Sequence, residues 1–338
     1  MKAMVLREYG KPLCLEEVPT PEAGPEEVVV RVGACGLCAT DLKIAAGEIP
    51  DTRTPLIMGH EPAGEIVAVG GSVNEFAVGD RVMVLSAIPC GECSCCVVGK
   101  TNLCTKFKVG FNQNGGHAEY LRVSSRVCVM APKSMDFANS AVLVGAASAP
   151  YHALKTRAKV KRGETVLVMG VGGLGLHGVQ VARALGARVI AVDVKQEHLD
   201  MALENGAEEA IRYPCKDYVR KVKELCGGEG PEIVLETVSL TDTLTENIAV
   251  LRRGGRLVML GYHPNVPLTA LTPRLVLDEI EILGARSVTR AEMNELASMA
   301  DEGSVKPILT RVYPLEEANQ AMMDLKMGRI PGRAVLVP

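Results

Sequence analysis

Residues 165–175 decide the fold of the chain, and they read Thr165-Val-Leu-Val-Met-Gly-Val-Gly-Gly-Leu-Gly175. The apolar first half is typical of a buried strand, and glycines follow it at 170, 172 and 175. Glycine at these three places permits a tight turn, close approach of the backbone to a pyrophosphate, and close packing of a helix on a strand. The N-terminus of that helix attracts the anion. The stretch, with Gly173 and Leu174 inside it, therefore predicts a dinucleotide-binding turn.

A carboxylate strengthens this interpretation. Asp193 ends the next strand-like run, Arg188–Val192, about 20 residues after the glycines, where it can accept hydrogen bonds from the adenosine ribose hydroxyls. A purely structural glycine turn would explain the glycines but not the carboxylate. Because Asp193 would repel the additional phosphate of NADP, we expect NAD(H) as the cofactor.

Strands and helices alternate outward from this motif, which predicts a doubly wound parallel α/β sheet. The further expected strands are Ile233–Glu236, Arg256–Leu260 and Glu281–Gly284. The expected helices are Leu174–Leu185, Gln196–Asn205, Lys216–Cys226 and Leu244–Arg252.

The first 140 residues have a different texture, with short β-branched runs broken by turn residues. Examples of these runs are Glu27–Val32, Gly64–Val69 and Asp80–Leu85. They predict a compact, irregular β-rich domain. After Arg290 we expect helices near Ala291–Glu302 and Glu316–Met327 and a last strand, Arg333–Val337, in a tail that returns to the N-terminal domain.

Four cysteines have metal-ligand spacing, C-x2-C-x2-C-x7-C: Cys90, Cys93, Cys96 and Cys104. Four thiolates can surround one zinc ion tetrahedrally and leave no position open for a substrate, so we expect a structural zinc site. An iron–sulfur cluster or unliganded thiols are the alternatives. Cys95 is an additional thiol in this loop with no assigned role.

Composition limits the other classes of function. At 338 residues the chain exceeds the length at which a single core stops growing, so we expect two domains. A net charge of -3 gives no broad attraction to nucleic acid or to anionic membranes. The first residues, Met1–Glu8, reach charged side chains before any apolar stretch of signal-peptide length. We expect a cytoplasmic protein that binds a small-molecule substrate, without nucleic-acid or membrane partners.

Several motifs occur together along nearly the whole chain. They are Cys38-Ala-Thr-Asp41, Gly59-His-Glu-Pro-Ala-Gly-Glu65, the four-cysteine loop, Gly115-Gly-His-Ala-Glu-Tyr120, the glycine turn and Gly332-Arg-Ala-Val335. In this order they resemble the zinc-containing medium-chain dehydrogenase/reductase family. The resemblance implies a GroES-like catalytic domain over 1–147, to which 286–338 return, and a Rossmann domain over 148–285.

The resemblance also implies roles for single residues. Cys38 and His60 would be catalytic zinc ligands, Glu61 the adjacent carboxylate that can approach the metal, and Thr40 the hydroxyl that relays the substrate proton. Arg333 would pair with the cofactor pyrophosphate. For Asp41, an indirect or structural role stands beside a direct one.

The sequence departs from the family at two positions. Gly145 stands where the family has a Cys, Glu or Asp as third catalytic ligand, and 141–149 offer no other ligand. A catalytic zinc needs about three protein ligands and an exchangeable water, so either Glu61 completes the set or the ion is absent. Lys43 stands where many relatives carry the histidine that ends the proton relay, and a solvated surface lysine is the alternative for it.

Three functions remain open on this basis. The first is zinc-assisted hydride transfer between nicotinamide and an alcohol or carbonyl. The second, without catalytic zinc, is 1,4-reduction of activated C=C bonds such as enones or enoyl thioesters. The third is a non-catalytic nucleotide-binding protein. The resemblance implies a homodimer or homotetramer, and the low aromatic content suits an aliphatic pocket without naming the substrate.

Overall fold

A computed structural model describes residues 1–338. The chain forms two compact units: unit 1 comprises Met1–Ser148, Ser287–Gly303 and Pro307–Pro338, and unit 2 comprises Ala149–Arg286 and Ser304–Lys306. The chain passes from unit 1 to unit 2 after Ser148 and returns after Arg286, in each case one residue later than expected from the sequence. The grouping of Ser304–Lys306 with unit 2 has no counterpart in that expectation; there the Lys306 backbone N–H donates to Gln180 Oε1 at 2.6 Å.

Unit 1 is rich in short strands. Its N-terminal strands are β1 Lys2–Leu6, β2 Cys14–Glu17, β3 Glu27–Leu37, β4 Leu56–Ile57, β5 Pro62–Val69, β6 Arg81–Val84, β7 Ala87–Ile88, β8 Phe107–Lys108, β9 Tyr120–Ser124 and β10 Cys128–Met130. Its N-terminal helices are α1 Ala39–Ala45, α2 Ser94–Val97 and α3 Phe137–Val142, the last continued by a π-helical turn, Leu143–Ala147.

Unit 2 contains alternating strands and helices. The strands are β11 Thr165–Met169, β12 Arg188–Asp193, β13 Glu209–Arg212, β14 Ile233–Glu236, β15 Arg256–Met259 and β16 Glu281–Gly284. The helices are α4 Ser148–Tyr151, whose first residue still belongs to unit 1 and which leads into a π-helical segment His152–Arg157, then α5 Gly173–Ala184, α6 Gln196–Glu204, α7 Tyr218–Leu225, α8 Thr241–Val250 and α9 Thr272–Leu277. The C-terminal part of the chain adds α10 Arg290–Asp301, β17 Leu309–Pro314, α11 Ala318–Lys326 and β18 Arg333–Val337.

The six strands of unit 2 form one parallel sheet in the order β13-β12-β11-β14-β15-β16. This is the strand order of a doubly wound nucleotide-binding fold, in which the chain reverses direction across the sheet between its first and fourth strands. The central strands are buried on both faces, as the apolar run Val166–Val168 shows, because helices cover both sides of such a sheet. The predicted α/β sheet is confirmed.

Unit 1 is built around a mainly antiparallel sheet in the order β10-β6-β5-β3-β18-β17, with β9 also paired to β3 and with β17 and β18 running parallel. The C-terminal strand β18 pairs with β3, with Ala334 opposite Leu37. The predicted return of the tail to the N-terminal part of the chain is therefore observed, and it closes a core that includes Met4, Leu37 and Leu336.

Sequence analysis did not identify β13 and β17 and misplaced some helix ends, and among the ten strands in the first 140 residues it named only the runs that form β3, β5 and β6. β13 and β17 lie at sheet edges, and their side chains are mostly polar or exposed, so neither carries the apolar signature of a buried strand. The helix expected at Leu244–Arg252 begins at Thr241, where Leu240 N–H donates to the Thr243 hydroxyl at 3.1 Å. None of the helices combines the length and apolar character that crossing a bilayer requires.

Candidate active site

The four-cysteine loop brings its sulfurs together around one point. The Sγ atoms of Cys90, Cys93, Cys96 and Cys104 all lie within 4.8 Å of one another. Cys90 and Cys96 Sγ are 4.0 Å apart, and a tetrahedral zinc with Zn–S bonds of about 2.3 Å needs sulfurs about 3.8 Å apart. The backbone N–H groups of Glu92 and Cys93 donate to the Cys90 sulfur and lower the pKa of that thiol to about 6. The donor set therefore fits a structural zinc, and Cys95 lies outside it.

A second cluster arises from the pairing of β3 with β5. Cys35 lies opposite Pro62 in this antiparallel pair, and Gly36 N–H donates to Glu61 O at 3.0 Å. The pairing places the residue after β3, Cys38, beside the two residues before β5, His60 and Glu61. Their sulfur, ring nitrogen and carboxylate oxygen all lie within 4.8 Å of one another, and His60 Nε2 is 3.7 Å from Glu61 Oε1.

Asp41 contacts one ring nitrogen of His60, Nδ1, while the other ring nitrogen, Nε2, lies near Glu61. Its Oδ1 lies 3.1 Å from His60 Nδ1, and its Oδ2 accepts a hydrogen bond from Cys38 N–H at 2.9 Å. Burial raises the pKa of the Asp41 carboxyl, but the charge of His60 lowers it by more, so the pKa lies below its ordinary value. An ionised Asp41 favours the tautomer with hydrogen on Nδ1 and leaves the Nε2 lone pair directed to the cluster, as in metal sites where a carboxylate orients the histidine ligand. The sequence left Asp41 undecided, although its position three residues after Cys38 was the available signal.

Glu61 occupies the space of the missing ligand. A Cβ built on Gly145 would lie only 1.7 Å from Glu61 Oε1. The other oxygen, Oε2, accepts a hydrogen bond from the Arg333 guanidinium, and both side chains are almost fully buried. The lack of a side chain at 145 therefore leaves room for the Glu61 carboxylate next to Cys38 and His60.

Arg333 was expected at a cofactor pyrophosphate, and the structure pairs it with Glu61. Burial lowers the pKa of the Arg333 guanidinium, but the charge of Glu61 raises it by more, so the pKa lies above its ordinary value. Its Nε is buried without a hydrogen-bond partner. The pyrophosphate role stays a prediction.

Thr40 and Lys43 lie on α1, the helix that begins just after Cys38. Both are half-buried, and Thr40 N–H points to Cys38 Sγ at 3.5 Å. Partial burial lowers the pKa of the Lys43 ammonium, although the nearby Cys38 and Glu48 act in the opposite direction. A lowered pKa makes Lys43 a better proton acceptor than a fully solvated lysine.

The glycine motif has the geometry that its residues predicted. α5 begins at Gly173, directly after the turn, with Gly172 as its N-cap. Gly170 has a φ of +83°, and a Cβ on Gly175 would lie 1.9 Å from Gly170 O, so the first and last glycines allow the tight turn and the close packing. Leu174 lies in the first turn of the helix.

Asp193 is fixed beside this turn. Its Oδ2 accepts from Val171 N–H at 2.8 Å and its Oδ1 accepts from Lys195 N–H at 2.9 Å. Burial raises the pKa of this carboxyl, but His198 and the two N–H donors outweigh burial and lower it. Sequence analysis did not single out His198, whose Nδ1 lies 3.3 Å from Asp193 Oδ1. Its position five residues after Asp193, in the first turn of α6, was the only signal.

Comparison with known proteins agrees with both parts of this description. Residues 24–133 match the alcohol dehydrogenase GroES-like domain, and 173–302 match the zinc-binding dehydrogenase domain. An alcohol dehydrogenase of Geobacillus stearothermophilus is 37% identical over 342 residues, covering 99% of each chain. An acryloyl-coenzyme A reductase of Sulfurisphaera tokodaii is 29% identical over 342 residues, covering 100% of each.

A solved structure described as an NAD-dependent alcohol dehydrogenase superposes with a TM-score of 0.92 at 29% identity, covering 100% of both chains. The domain matches follow the same order along the chain as the motifs. The chain therefore belongs to the zinc-containing medium-chain dehydrogenase/reductase family.

Proposed function

We propose that this enzyme is an NAD(H)-dependent oxidoreductase that transfers hydride between nicotinamide and an alcohol or carbonyl substrate, with a zinc ion held by Cys38, His60 and Glu61. The observation that carries the proposal is the convergence of these three ligand atoms, backed by Asp41. A thiolate, an imidazole and a carboxylate are a ligand set that zinc accepts, and three protein ligands leave a position open for substrate. The intact cluster argues against a non-catalytic nucleotide-binding protein.

Each side chain of the cluster has a separate task. When bound, zinc polarises the substrate oxygen and nicotinamide exchanges the hydride. Cys38 Sγ and His60 Nε2 would hold the metal, and Asp41 would keep the His60 ring in the ligating orientation. Arg333 holds one oxygen of Glu61, so that the other, Oε1, faces His60 Nε2. In this proposal Glu61 takes the place of the ligand that Gly145 does not supply.

Proton transfer is assigned to α1. Thr40 Oγ1 would exchange the proton of the substrate hydroxyl, and Lys43 Nζ would carry it toward solvent. The half-buried position and lowered pKa of Lys43 support this assignment. The alternative of a purely solvated surface lysine fits the partial burial less well.

Cofactor choice is assigned to unit 2. The turn of Gly170, Gly172 and Gly175 would take the pyrophosphate and Asp193 the adenosine ribose, which supports NAD(H). The structural neighbour described as NAD-dependent points the same way.

A second candidate function is the reduction of activated C=C bonds without a catalytic zinc. Two observations favour it: Gly145 supplies no ligand, and one full-length relative is described as an acryloyl-coenzyme A reductase. An enolate needs less local charge stabilisation than an alkoxide, so such a reaction can dispense with the metal.

We also propose that the chain forms a homodimer or homotetramer through unit 2. Strand β16 ends the sheet with one side unpaired, and the preceding helix α9 exposes Val276 by 71% and Leu277 by 77%. An unpaired edge beside exposed aliphatic side chains is unfavourable in water and suits pairing with a second copy. The thiols of the four-cysteine loop are spaced for metal binding and not joined as disulfides, which supports a reducing compartment, the cytoplasm.

One experiment separates the two reactions. Zinc is counted before and after mild chelation, while NADH oxidation is assayed with aldehydes and ketones, with enones and with enoyl thioesters. Two zinc ions per chain, with carbonyl turnover lost when the more weakly held ion is removed, support the zinc-assisted reaction. One zinc ion, with enone or enoyl-thioester reduction that survives chelation, contradicts it and supports C=C reduction.

A further inference from the structure

A cavity of about 640 Å³ lies within unit 1, and none of the residues Cys38, His60 and Glu61 lines it. The paired strands β1, β2 and β4 form one part of its wall. The other parts are strand β9 and the β7–β8 pair, which flanks the four-cysteine loop. Small organic ligands typically occupy sites of about 300–1,000 Å³, so this cavity has the size of a ligand site.

The inner part of the cavity wall is aliphatic. Val5, Ile57 and Leu121 line the cavity and are buried. Two further apolar side chains of the wall lie nearer to solvent, Ile88, which is half-buried, and Phe107, which is 40% exposed. An apolar ligand that covers these two side chains removes hydrocarbon surface from water. The wall therefore favours a ligand with an aliphatic or aromatic body.

One arginine of the wall has no acidic partner. Arg7 is paired with Glu16, and Arg122 Nε lies 3.4 Å from Glu27 Oε2. Arg53 also lines the cavity, is exposed, and forms neither an ion pair nor a hydrogen bond. The charged side chains of the wall are these three arginines and two glutamates, which leaves a net charge of +1. A ligand with a single negative charge would neutralise it.

Neutral hydrogen-bond donors accompany this cation. Asn114 Oδ1 accepts a hydrogen bond from Ile57 N–H at 3.3 Å, which leaves the Nδ2 donor of the same amide available. The N-terminal ammonium of Met1, which also lines the cavity, donates to Val18 O at 2.8 Å. A carboxylate can accept from guanidinium and amide N–H groups together, and it binds a guanidinium through two parallel hydrogen bonds.

We propose that this cavity is a second ligand site, which binds a carboxylate with an aliphatic body in addition to the substrate and cofactor of the proposed function. The carboxylate would pair with Arg53, and the body would cover Ile88 and Phe107. A dianion such as a phosphate monoester suits the wall less well, because only one cationic side chain is unpaired. The site is independent of the catalytic zinc and of NAD(H), since its wall includes no residue assigned to either.

The chain contains no tryptophan, so a single substitution can place a fluorescent reporter at the cavity. Phe107→Trp does this with a conservative aromatic change, and Tyr262→Trp, 48% exposed in unit 2, is the matched control reporter. Each full-length protein is titrated without NAD(H), with octanoate and with its neutral analogue octanol, both below micelle-forming concentrations. The titrations of the Phe107→Trp protein are repeated with Arg53→Gln added and with Arg311→Gln added. Arg311 is an exposed arginine of unit 1 that does not line the cavity.

We expect a saturable fluorescence change in Phe107→Trp, with a Kd for octanoate about tenfold below that for octanol. Arg53→Gln should abolish this difference, and Arg311→Gln should preserve it. Isothermal titration of the wild type and of Arg53→Gln with both compounds keeps the proposal testable if the indole itself fills the cavity.

Four results overturn the inference: no saturable binding of octanoate to the wild type, equal Kd values for the two compounds, a preference for octanoate that persists in Arg53→Gln, or an equal fluorescence change in Tyr262→Trp. The zinc count and the turnover assays are separate measurements, so the proposed function stands or falls independently of this site.

Discussion

Gly145 packs so closely against Glu61 that one added methyl group would disturb the cluster of Cys38, His60 and Glu61. A Cβ there would overlap Glu61 Oε1, so the glycine and the glutamate are sterically linked. The same carboxylate is held by Arg333 on its other oxygen, which leaves it little freedom to retreat. Two substitutions at 145 therefore have opposite chemical consequences, although both displace Glu61.

Gly145→Ala should displace Glu61 without supplying a ligand, whereas Gly145→Cys displaces it and offers a thiolate. We expect the alanine variant to lose the more weakly held zinc and to lower carbonyl turnover by roughly 10- to 100-fold, the range for disturbed metal sites. The cysteine variant should retain the ion. Metal analysis after mild chelation and steady-state assays measure both effects. An alanine variant with two zinc ions and full activity would show that Glu61 is not a ligand.

Asp193 is the residue expected to exclude NADP(H). Like charges about 4 Å apart cost up to roughly 4 kcal/mol at an effective dielectric of 20, so the wild type should strongly prefer NAD(H). Asp193→Ser removes this repulsion and should narrow the ratio of kcat/KM values for the two cofactors. Equal catalytic efficiency with both cofactors in the unmodified protein at neutral pH would contradict the assignment.

At the scale of secondary-structure elements, the loop from Cys90 to Cys104 contains only two short helical turns, α2 and a 3-10 turn at Thr101–Leu103. None of the residues of α2 is buried, so the apolar contribution of that helix to the stability of the loop is small. Metal binding by the four thiolates is the interaction that can order such a loop, because the binding free energy becomes folding free energy.

Cys93→Ser should therefore remove the tightly held zinc and lower the thermal unfolding midpoint. Cys95→Ser is the matched control, since Cys95 lies in the same loop but outside the group of four sulfurs. The control should keep its zinc and its stability. Purified wild-type protein that is active and fully stable without any metal would refute the structural role.

Helix α10 starts with a reciprocal cap that can be tested by stability alone. Thr289 Oγ1 accepts from Glu292 N–H at 3.3 Å, and Glu292 Oε2 accepts from Thr289 N–H at 2.8 Å. Thr289→Ala should reduce the free energy of unfolding by about 1 kcal/mol. Ser298→Ala, at an exposed position of the same helix, should change it by less than about 0.5 kcal/mol. Urea denaturation compares the two, and equal effects would contradict the role of the cap.

At the scale of the whole molecule, the exposed face of α9 is the feature that a monomer would leave uncovered. Val276→Asp places a charge on this face beside the unpaired edge of β16 and should shift the protein toward monomer. Val78→Asp, at an exposed valine of unit 1, should not. Light scattering after size exclusion gives the mass of each. A wild type that is monomeric, or a Val276→Asp variant with unchanged mass, would disprove the proposed interface.

Local signals in the sequence were sufficient for much of this protein. The strand Thr165–Met169 and the turn after it are defined by residues adjacent in the chain, so their pattern predicts a Rossmann sheet without tertiary information. The four-cysteine loop is equally local, because its ligands lie within fifteen residues, Cys90 to Cys104. The edge strand β13 was missed for the converse reason, since its four residues carry no strong local signal.

Contacts between distant residues required the tertiary structure. The sequence showed that Gly145 supplies no ligand, but only folding shows that Glu61 fills its space and that Arg333, 272 residues away, holds that carboxylate. Asp41 reaches His60, and His198 reaches Asp193, through side-chain directions that spacing does not encode. The sequence by itself determined the family of folds and the candidate ligands, because these follow from local pattern. Tertiary structure decided which carboxylate lies beside which histidine, because that depends on strand pairing and packing between distant segments.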